Sequence, residues 1–285
     1  MERKDVDINR VTPMMKQYLE IKNANEDLII FFRLGDFYEM FFDDAIKVSR
    51  DLELTLTGKS AGLEERIPMC GIPYHAADNY IEKLLEKGYK IGICEQLEDA
   101  KEVKGLVKRG IVQIISSGTV TNSDMLKAND FNYIANVMDF KHLYGISYAD
   151  VSTGQIYVEL IPHNSVNVIS AINNLGVKEI VVSSKVDKNI LSILKNQFHM
   201  TITVTDESTE NNKSIYDDIS DFRYIETVKH LLAYIENNQK RDLLHFQKVI
   251  VRENKDRLKK VIYNLLDSIR VSAILLQAFI PTTSE

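Results

Sequence analysis

The chain has 285 residues, of which 45% are hydrophobic and 27% are charged, so it is long enough for two domains with separate cores. We expect neither a membrane protein nor a secreted one, because no apolar run approaches about 20 residues and the start lacks an apolar leader. The net charge of −6 argues against a protein that holds nucleic acid mainly by bulk electrostatics. Cys70 and Cys94 lie in apolar sequence without metal-ligand spacing, which predicts reduced core residues of a cytosolic protein.

Residues 1–116 alternate between helical and strand-like periodicity, which predicts an α/β domain with a mixed sheet. Asp43 and Asp44 suit a helix N-terminus, and Pro68, Gly71 and Pro73 indicate a rigid turn. The predicted elements, in chain order, are a helix capped by Thr12, a strand at 28–34, a helix ending near 52, a short strand at 54–57, a loop at 58–66, a helix at 76–88, and strands at 89–95 and 109–115.

Phe37 and Glu39 follow a Gly-Asp turn directly after an apolar strand. In an extended segment they project from the same face, about 7 Å apart. An aromatic ring beside an acceptor suits a wedge that enters a stack of bases and contacts the edge of one of them. The alternative is an ordinary hairpin end, with Phe37 in the core and Glu39 in water.

The second half of the chain begins after a polar connection at residues 117–129. Residues 130–245 predict three antiparallel strands followed by alternating helices and strands, and residues 246–285 form a divergent tail. The predicted strands lie at 133–138, 143–150, 155–160, 179–183 and 201–205, and the helices at 165–175, 187–196 and 221–238. In the tail, an amphipathic helix is indicated by Leu258, Val261, Leu265, Ile269 and Leu276.

Several motifs in this order closely resemble the amino-terminal end of the MutS family of DNA mismatch repair proteins, over residues 11–244. They are TPMMKQY at 12–18, RLGDFYEMF at 33–41, IPMCGIPYH at 67–75, YKIGICEQ at 89–96, GTV at 118–120 and YADVSTG at 148–154. The resemblance implies a mismatch-recognition domain followed by a connector domain with a ribonuclease H-like fold. It maps the family's Phe-x-Glu motif onto Phe37 and Glu39, and it implies a truncated chain with an unusual ending.

In the implied mechanism, the protein recognises a mispair by how easily its base-pair step unstacks. Phe37 wedges into the mispaired step, which costs less to unstack than a matched step, and stacking on the ring returns about 1–3 kcal/mol. Glu39 is repelled by phosphates, so we expect it to hydrogen-bond the displaced base. Burial beside phosphates favours its protonated form, which would donate that hydrogen bond.

Basic residues near the site are candidates for contacts with the DNA backbone, which position a protein without reading sequence. For the run at 101–109, a solvated loop is the alternative. The candidates are Arg33, Lys101, Lys104, Lys108 and Arg109.

The resemblance implies no enzymatic activity and no cofactor in this chain, because the family's ATP and Mg²⁺ belong to an ATPase domain that we do not find in it. Implied partners are double-stranded DNA with mispairs or small loops, a MutL-like repair factor and full-length MutS, in the bacterial cytosol at the nucleoid and without a membrane. His75 at a helix start reads as a packing residue, and no metal pattern is present.

Three rival functions remain open. One is an interaction module that binds repair partners or interferes with full-length MutS, and another is a non-functional truncated remnant. The third is a metal-dependent nuclease built on the second domain, with Asp150 at the end of an early strand, although Asp139, Asp150, Glu159 and Glu179 form no recognisable two-metal set in the sequence.

Overall fold

The computed structural model describes residues 3–98, 105–120, 132–240, 243–252, 265–270 and 272. Within them the chain forms two mixed sheets with helices packed on their faces. The helices are α1 (Pro13–Ala24), α2 (Phe42–Asp51), α3 (Ala77–Glu86), α4 (Ser165–Asn174), α5 (Lys188–Asn196) and α6 (Phe222–Gln239). The strands are β1 (Leu28–Leu34), β2 (Phe37–Phe41), β3 (Thr57–Lys59), β4 (Ile67–Pro73), β5 (Lys90–Gln96), β6 (Arg109–Ile115), β7 (Tyr133–Asp139), β8 (Leu143–Asp150), β9 (Gln155–Pro162), β10 (Glu179–Val182), β11 (Thr201–Val204) and β12 (Ile250–Val251).

The first sheet has the strand order β3-β4-β2-β1-β5-β6. Only β1 and β5 run parallel, and the other neighbours are antiparallel. One face packs on α2 and α3 around Phe31 and Met40, whereas the other packs on α1 around Phe32 and Phe41. A two-residue loop joins β1 to β2, and Gly35 takes a φ of +57° there, which glycine adopts without strain. The predicted mixed-sheet α/β fold is confirmed.

Two local predictions in this domain are wrong. Pro68, Gly71 and Pro73 lie in the seven-residue strand β4 instead of forming a turn. The short strand is Thr57–Lys59, shifted from the predicted 54–57 and extending into the predicted loop. Because β3 has only three residues and pairs with the Ile67 end of β4, the stretch of β4 that ends at Pro73 has no β3 neighbour, so a proline there is tolerated.

Asp43 and Asp44 lie in the first turn of α2, as predicted, and Asp44 has a further role in the core. Its side chain is buried and pairs with the equally buried Lys22 of α1, with Nζ 2.9 Å from Oδ1. It also accepts the backbone N–H of Ile30 at 3.1 Å. Burial raises the pKa of this carboxyl, although the Lys22 ammonium opposes the shift. Asp44 therefore ties α1, α2 and β1 together.

Both cysteines lie in the core of the first domain, as predicted. Burial raises the pKa of the Cys70 thiol and that of the Cys94 thiol, each to about 12. Since the thiolate is the reactive form, only about one thiol in ten thousand is ionised at pH 8. We expect Ellman's reagent at pH 8 to leave the native protein unmodified and to titrate both thiols in urea. Rapid reaction of the native protein would contradict this burial.

The second sheet has the order β11-β10-β7-β8-β9-β12. When β7 to β11 are numbered 1 to 5, they lie in the sheet in the order 3-2-1-4-5, read from β9 to β11. β8 is antiparallel to its neighbours β7 and β9, whereas β10 and β11 run parallel to β7. This is the ribonuclease H-like arrangement, and the prediction is confirmed. The strand β12 was not predicted. It pairs parallel with β9 and carries the ordered sheet beyond residue 245.

A cluster of buried polar groups joins the two domains. Glu179, at the start of β10, is fully buried and accepts the Gly118 N–H at 3.0 Å and the Tyr234 hydroxyl proton. The Lys90 ammonium of β5 lies 3.5 Å from the same carboxylate and donates to the Tyr234 oxygen at 2.9 Å. Gln239 of α6 donates to the Thr119 carbonyl oxygen at 3.1 Å. Val120 packs in the α2–α3 core of the first domain, so residues 118–120 contact both domains.

The tail lies largely outside the described residues. Leu258, Val261 and Leu276, three of the five apolar positions predicted to line a helix, are among those not described. Residues 265–270 are helical, and Leu265 and Ile269 are exposed there. Among the described helices, none is long and apolar enough to cross a membrane.

Candidate nucleic-acid interface

Phe37 and Glu39 project from the same face of β2, as predicted. The hairpin register pairs Leu34 with Phe37 and Phe32 with Glu39, while Tyr38 and Met40 point into the core on the opposite face. The Phe37 side chain is 47% exposed at the hairpin end. Glu39 is only 17% exposed in its side chain. The ordinary-hairpin alternative, with a core phenylalanine and a solvated glutamate, is therefore wrong.

Glu39 forms an ion pair that sequence reasoning missed. The Lys59 ammonium of β3 donates to Glu39 Oε2, and the two side chains are 27% and 17% exposed. Strand β4 lies between β3 and β2, so the lysine side chain spans it. Its Nζ also lies 5.6 Å from the centre of the Phe41 ring. The spacing of 20 residues carries no periodic signal, since it depends on which strands become neighbours.

Gly71 leaves space beside the two side chains. It pairs with Glu39 across the β2–β4 ladder. A Cβ at this position would lie 3.5 Å from Glu39 Cγ and 3.9 Å from Phe37 Cδ1. A larger side chain would therefore occupy the surface between the aromatic ring and the carboxylate. The glycine therefore leaves the surface between these two side chains uncovered.

Arg33 lies on the opposite face of the sheet from Phe37 and Glu39. It pairs in register with Tyr38, and its guanidinium stacks on Tyr74 with 3.7 Å from Cζ to the ring centre. Its Nη1 is 3.7 Å from Glu95 Oε1. Glu95 also accepts the Tyr38 hydroxyl proton. Burial and the neighbouring Glu95 raise the pKa of Tyr38, which keeps that proton in place.

The other predicted backbone-contact residues differ in placement. Arg109 is buried, with its guanidinium donating to the Arg33 and Val107 carbonyl oxygens at 2.9 and 3.0 Å. Lys108 has an exposed side chain in the adjacent loop. Lys101 and Lys104 lie outside the described residues. Within the described part, the structure brings together Phe37 and Glu39 and places Arg33 on the opposite face. The Arg109 guanidinium lies 5.4 Å from the centre of the Phe32 ring, and Phe32 is the residue that pairs with Glu39.

The four carboxylates of the nuclease alternative do not converge. Asp139 and Asp150 sit at opposite ends of the β7–β8 hairpin, because Asp150 pairs with Tyr133, six residues before Asp139, or about 20 Å along the strand. Asp150 accepts the backbone N–H groups of the following turn, and Glu179 belongs to the cluster between the domains. The described residues contain no group of three or more potential metal ligands.

The chain is thus a two-domain α/β protein whose first domain exposes an aromatic residue beside a paired carboxylate, and whose second domain has a ribonuclease H-like sheet. Family models assign these two parts separately. The model for MutS domain I matches residues 12–124, and that for MutS domain II matches residues 132–247.

Curated relatives agree with the family models. The chain is 44% identical over 253 residues to the DNA mismatch repair protein MutS of Bacillus licheniformis, covering 89% of the chain and 29% of that relative. It is 45% identical over 271 residues to the MutS of Listeria monocytogenes, covering 91% of the chain and 31% of that relative. The MutS of Bacillus subtilis is 43% identical over 253 residues.

The chain belongs to the MutS family and carries its domains I and II. It spans only 29 to 31% of the length of the first two relatives described.

Proposed function

We propose that this chain binds mismatched double-stranded DNA in DNA mismatch repair, using the β1–β2 hairpin as the recognition element. The observation that carries the proposal is the exposed Phe37 ring, held at a hairpin end beside Glu39. A single exposed aromatic residue is common on a protein surface, so the 47% exposure of Phe37 supports the proposal together with Glu39 on the same face and the match to MutS domain I. The relatives' printed name, DNA mismatch repair protein, gives the class of partner.

In this proposal Phe37 enters the mispaired step from the minor groove, partly unstacks it and kinks the duplex. A mispair stacks poorly, so its step opens at lower cost than a matched step, and that difference carries the discrimination. Phenylalanine suits the task because its ring has no polar group that needs a partner when buried against a base. Glu39, on the same face, forms a hydrogen bond with the displaced base.

The hairpin stands clear of the interface between the domains. β1 and β5 run parallel with Leu28 opposite Lys90, so Lys90 marks one end of the first sheet. Phe37 lies beyond the other end of β1, about 20 Å away for a strand of this length. The second domain therefore packs on the end of the sheet that is remote from the proposed DNA contact.

A fluorescence titration tests the proposed function. Labelled duplexes that differ only in a G·T mispair or a one-base bulge are titrated with the chain at low salt, where charge contacts are strongest. We expect tighter binding to the two defective duplexes than to the matched one. Equal affinity for all three would contradict the proposal.

Glu39→Gln tests the role of the second side chain. The amide keeps the shape and a hydrogen-bonding group while it removes the negative charge beside the phosphates. We expect the variant to retain most of the preference for mismatched duplex in the same titration. A fall to the affinity seen with matched duplex would show that the role depends on the carboxylate itself.

Contacts with a MutL-like factor or with full-length MutS stay predictions, as does interference with the full-length protein. The relatives are bacterial proteins, and the proposal places this chain on DNA in the bacterial cytosol. Arg33, Lys101, Lys104, Lys108 and Arg109 stay predictions as backbone contacts. Among those described, Lys108 has the exposed side chain that such a contact needs.

A further inference from the structure

The Lys59–Glu39 ion pair bears on a difficulty that the proposed function raises. A carboxylate brought close to a phosphate backbone is repelled, and this repulsion is strongest at low ionic strength. Glu39 has to lose its charge by protonation or have it neutralised by a neighbour. In the free protein the neighbour is present, because the Lys59 ammonium donates to Glu39 Oε2.

The Lys59 side chain lies on the face of the sheet that carries Phe37 and Glu39. Lys59 lies on β3, reaches across β4, and places its Nζ over the Phe41 ring at 5.6 Å while it holds Glu39. Both partners are largely shielded from solvent, so the pair is screened less than a surface pair. The lysine contact leaves the second carboxylate oxygen, Oε1, without a hydrogen bond among the contacts of the described residues.

We propose that Lys59 is a positioning residue for mismatch recognition. Its ammonium holds the Glu39 carboxylate in place and offsets the negative charge of that carboxylate when DNA is bound. This inference rests on the proposed function. One carboxylate oxygen stays on the ammonium, and the other accepts a hydrogen bond from an N–H group of the displaced base. The pair carries no net charge into the phosphate field, so protonation of Glu39, expected from the sequence, is not required.

A double-mutant cycle on the full chain tests this inference. Lys59→Met, Glu39→Gln and the double variant are titrated with G·T and matched duplexes. We expect Lys59→Met to weaken binding to the G·T duplex by about fivefold to tenfold when Glu39 is present, and by less than about twofold when residue 39 is Gln. Lys59→Arg, which keeps the charge, should remain close to the wild type.

Lys83→Met is the matched control, since Lys83 is an exposed lysine of α3, whose apolar residues pack on the other face of the same sheet. It removes the same charge and should leave the preference for G·T unchanged. Thermal unfolding of each variant checks that it is folded. Lys59 lies on a three-residue strand and is itself part-exposed, so we expect the fold to persist in its variants.

Each other outcome overturns the inference. An equal loss in both backgrounds, with a shallower salt dependence, makes Lys59 a phosphate contact. Unchanged or tighter binding by Lys59→Met means that Glu39 loses its charge by protonation. If the wild-type chain has no preference for the G·T duplex, the proposed function is overturned, and this inference with it. If the wild-type chain has the preference and Lys59→Met retains it, only this inference is overturned.

Discussion

Phe37→Ala is expected to remove most of the preference for mismatched duplex. The variant loses the ring that stacks on the base, an interaction of about 2 kcal/mol, which is about a thirtyfold change in Kd. Affinity for matched duplex should change little, since a matched step resists the wedge. The measurement is the fluorescence titration of wild-type and variant chains with G·T and matched duplexes.

Phe222→Ala is the control for this prediction. Phe222 begins α6 of the second domain and is 64% exposed, so its truncation also removes an exposed phenylalanine. It should leave both affinities unchanged. If Phe37→Ala kept the preference for G·T, or if Phe222→Ala lost as much of it, the hairpin would not be the recognition element.

Lys90→Met is expected to produce the largest loss of stability. The substitution leaves the Glu179 carboxylate fully buried without its cationic partner, and among the described residues the Tyr234 hydroxyl and the Gly118 N–H remain as its donors. Burial beside Glu179 raises the pKa of Tyr234, so this hydroxyl stays protonated. Removal of one member of a buried ion pair costs about 3–5 kcal/mol, and we expect about 3 kcal/mol here because these two donors remain.

Urea unfolding of Lys90→Met and Lys178→Met measures this effect. Lys178 is exposed and directly precedes Glu179, so its substitution removes the same charge near the same strand. The control should unfold at a urea concentration close to that of the wild type. Equal stabilities for the two variants would mean that the buried cluster does not hold the domains together.

The sheets were predictable wherever local pattern decides the structure. The strands β1, β6 and β8 have the predicted bounds, because runs rich in apolar residues between turn residues are local signals. β4 was mistaken for a turn because its two prolines and its glycine are turn formers locally. At the Pro73 end a strand is permitted because the short β3 does not reach it, whereas Pro68 lies opposite Gly58 of β3, and both arrangements are properties of the sheet.

The recognition site was only half predictable. Phe37 and Glu39 follow from the motif and from strand alternation, since both lie on one short strand. Lys59 does not, because its contact with Glu39 requires β3, β4 and β2 to be adjacent in that order. The Lys90–Glu179 contact joins residues from two domains, and charges so far apart in the chain carry no periodic signal that would pair them.

Displacement of the mispaired base by Phe37 can be followed with 2-aminopurine placed at that base. Its emission rises when it leaves the duplex stack. At saturating protein, we predict a rise with the wild-type chain on a 2-aminopurine·C mispair, and a much smaller rise with Phe37→Ala or on the matched 2-aminopurine·T duplex. If the wild-type chain left the emission unchanged, or if the wild-type and Phe37→Ala chains raised it equally, Phe37 would not be the residue that displaces the base.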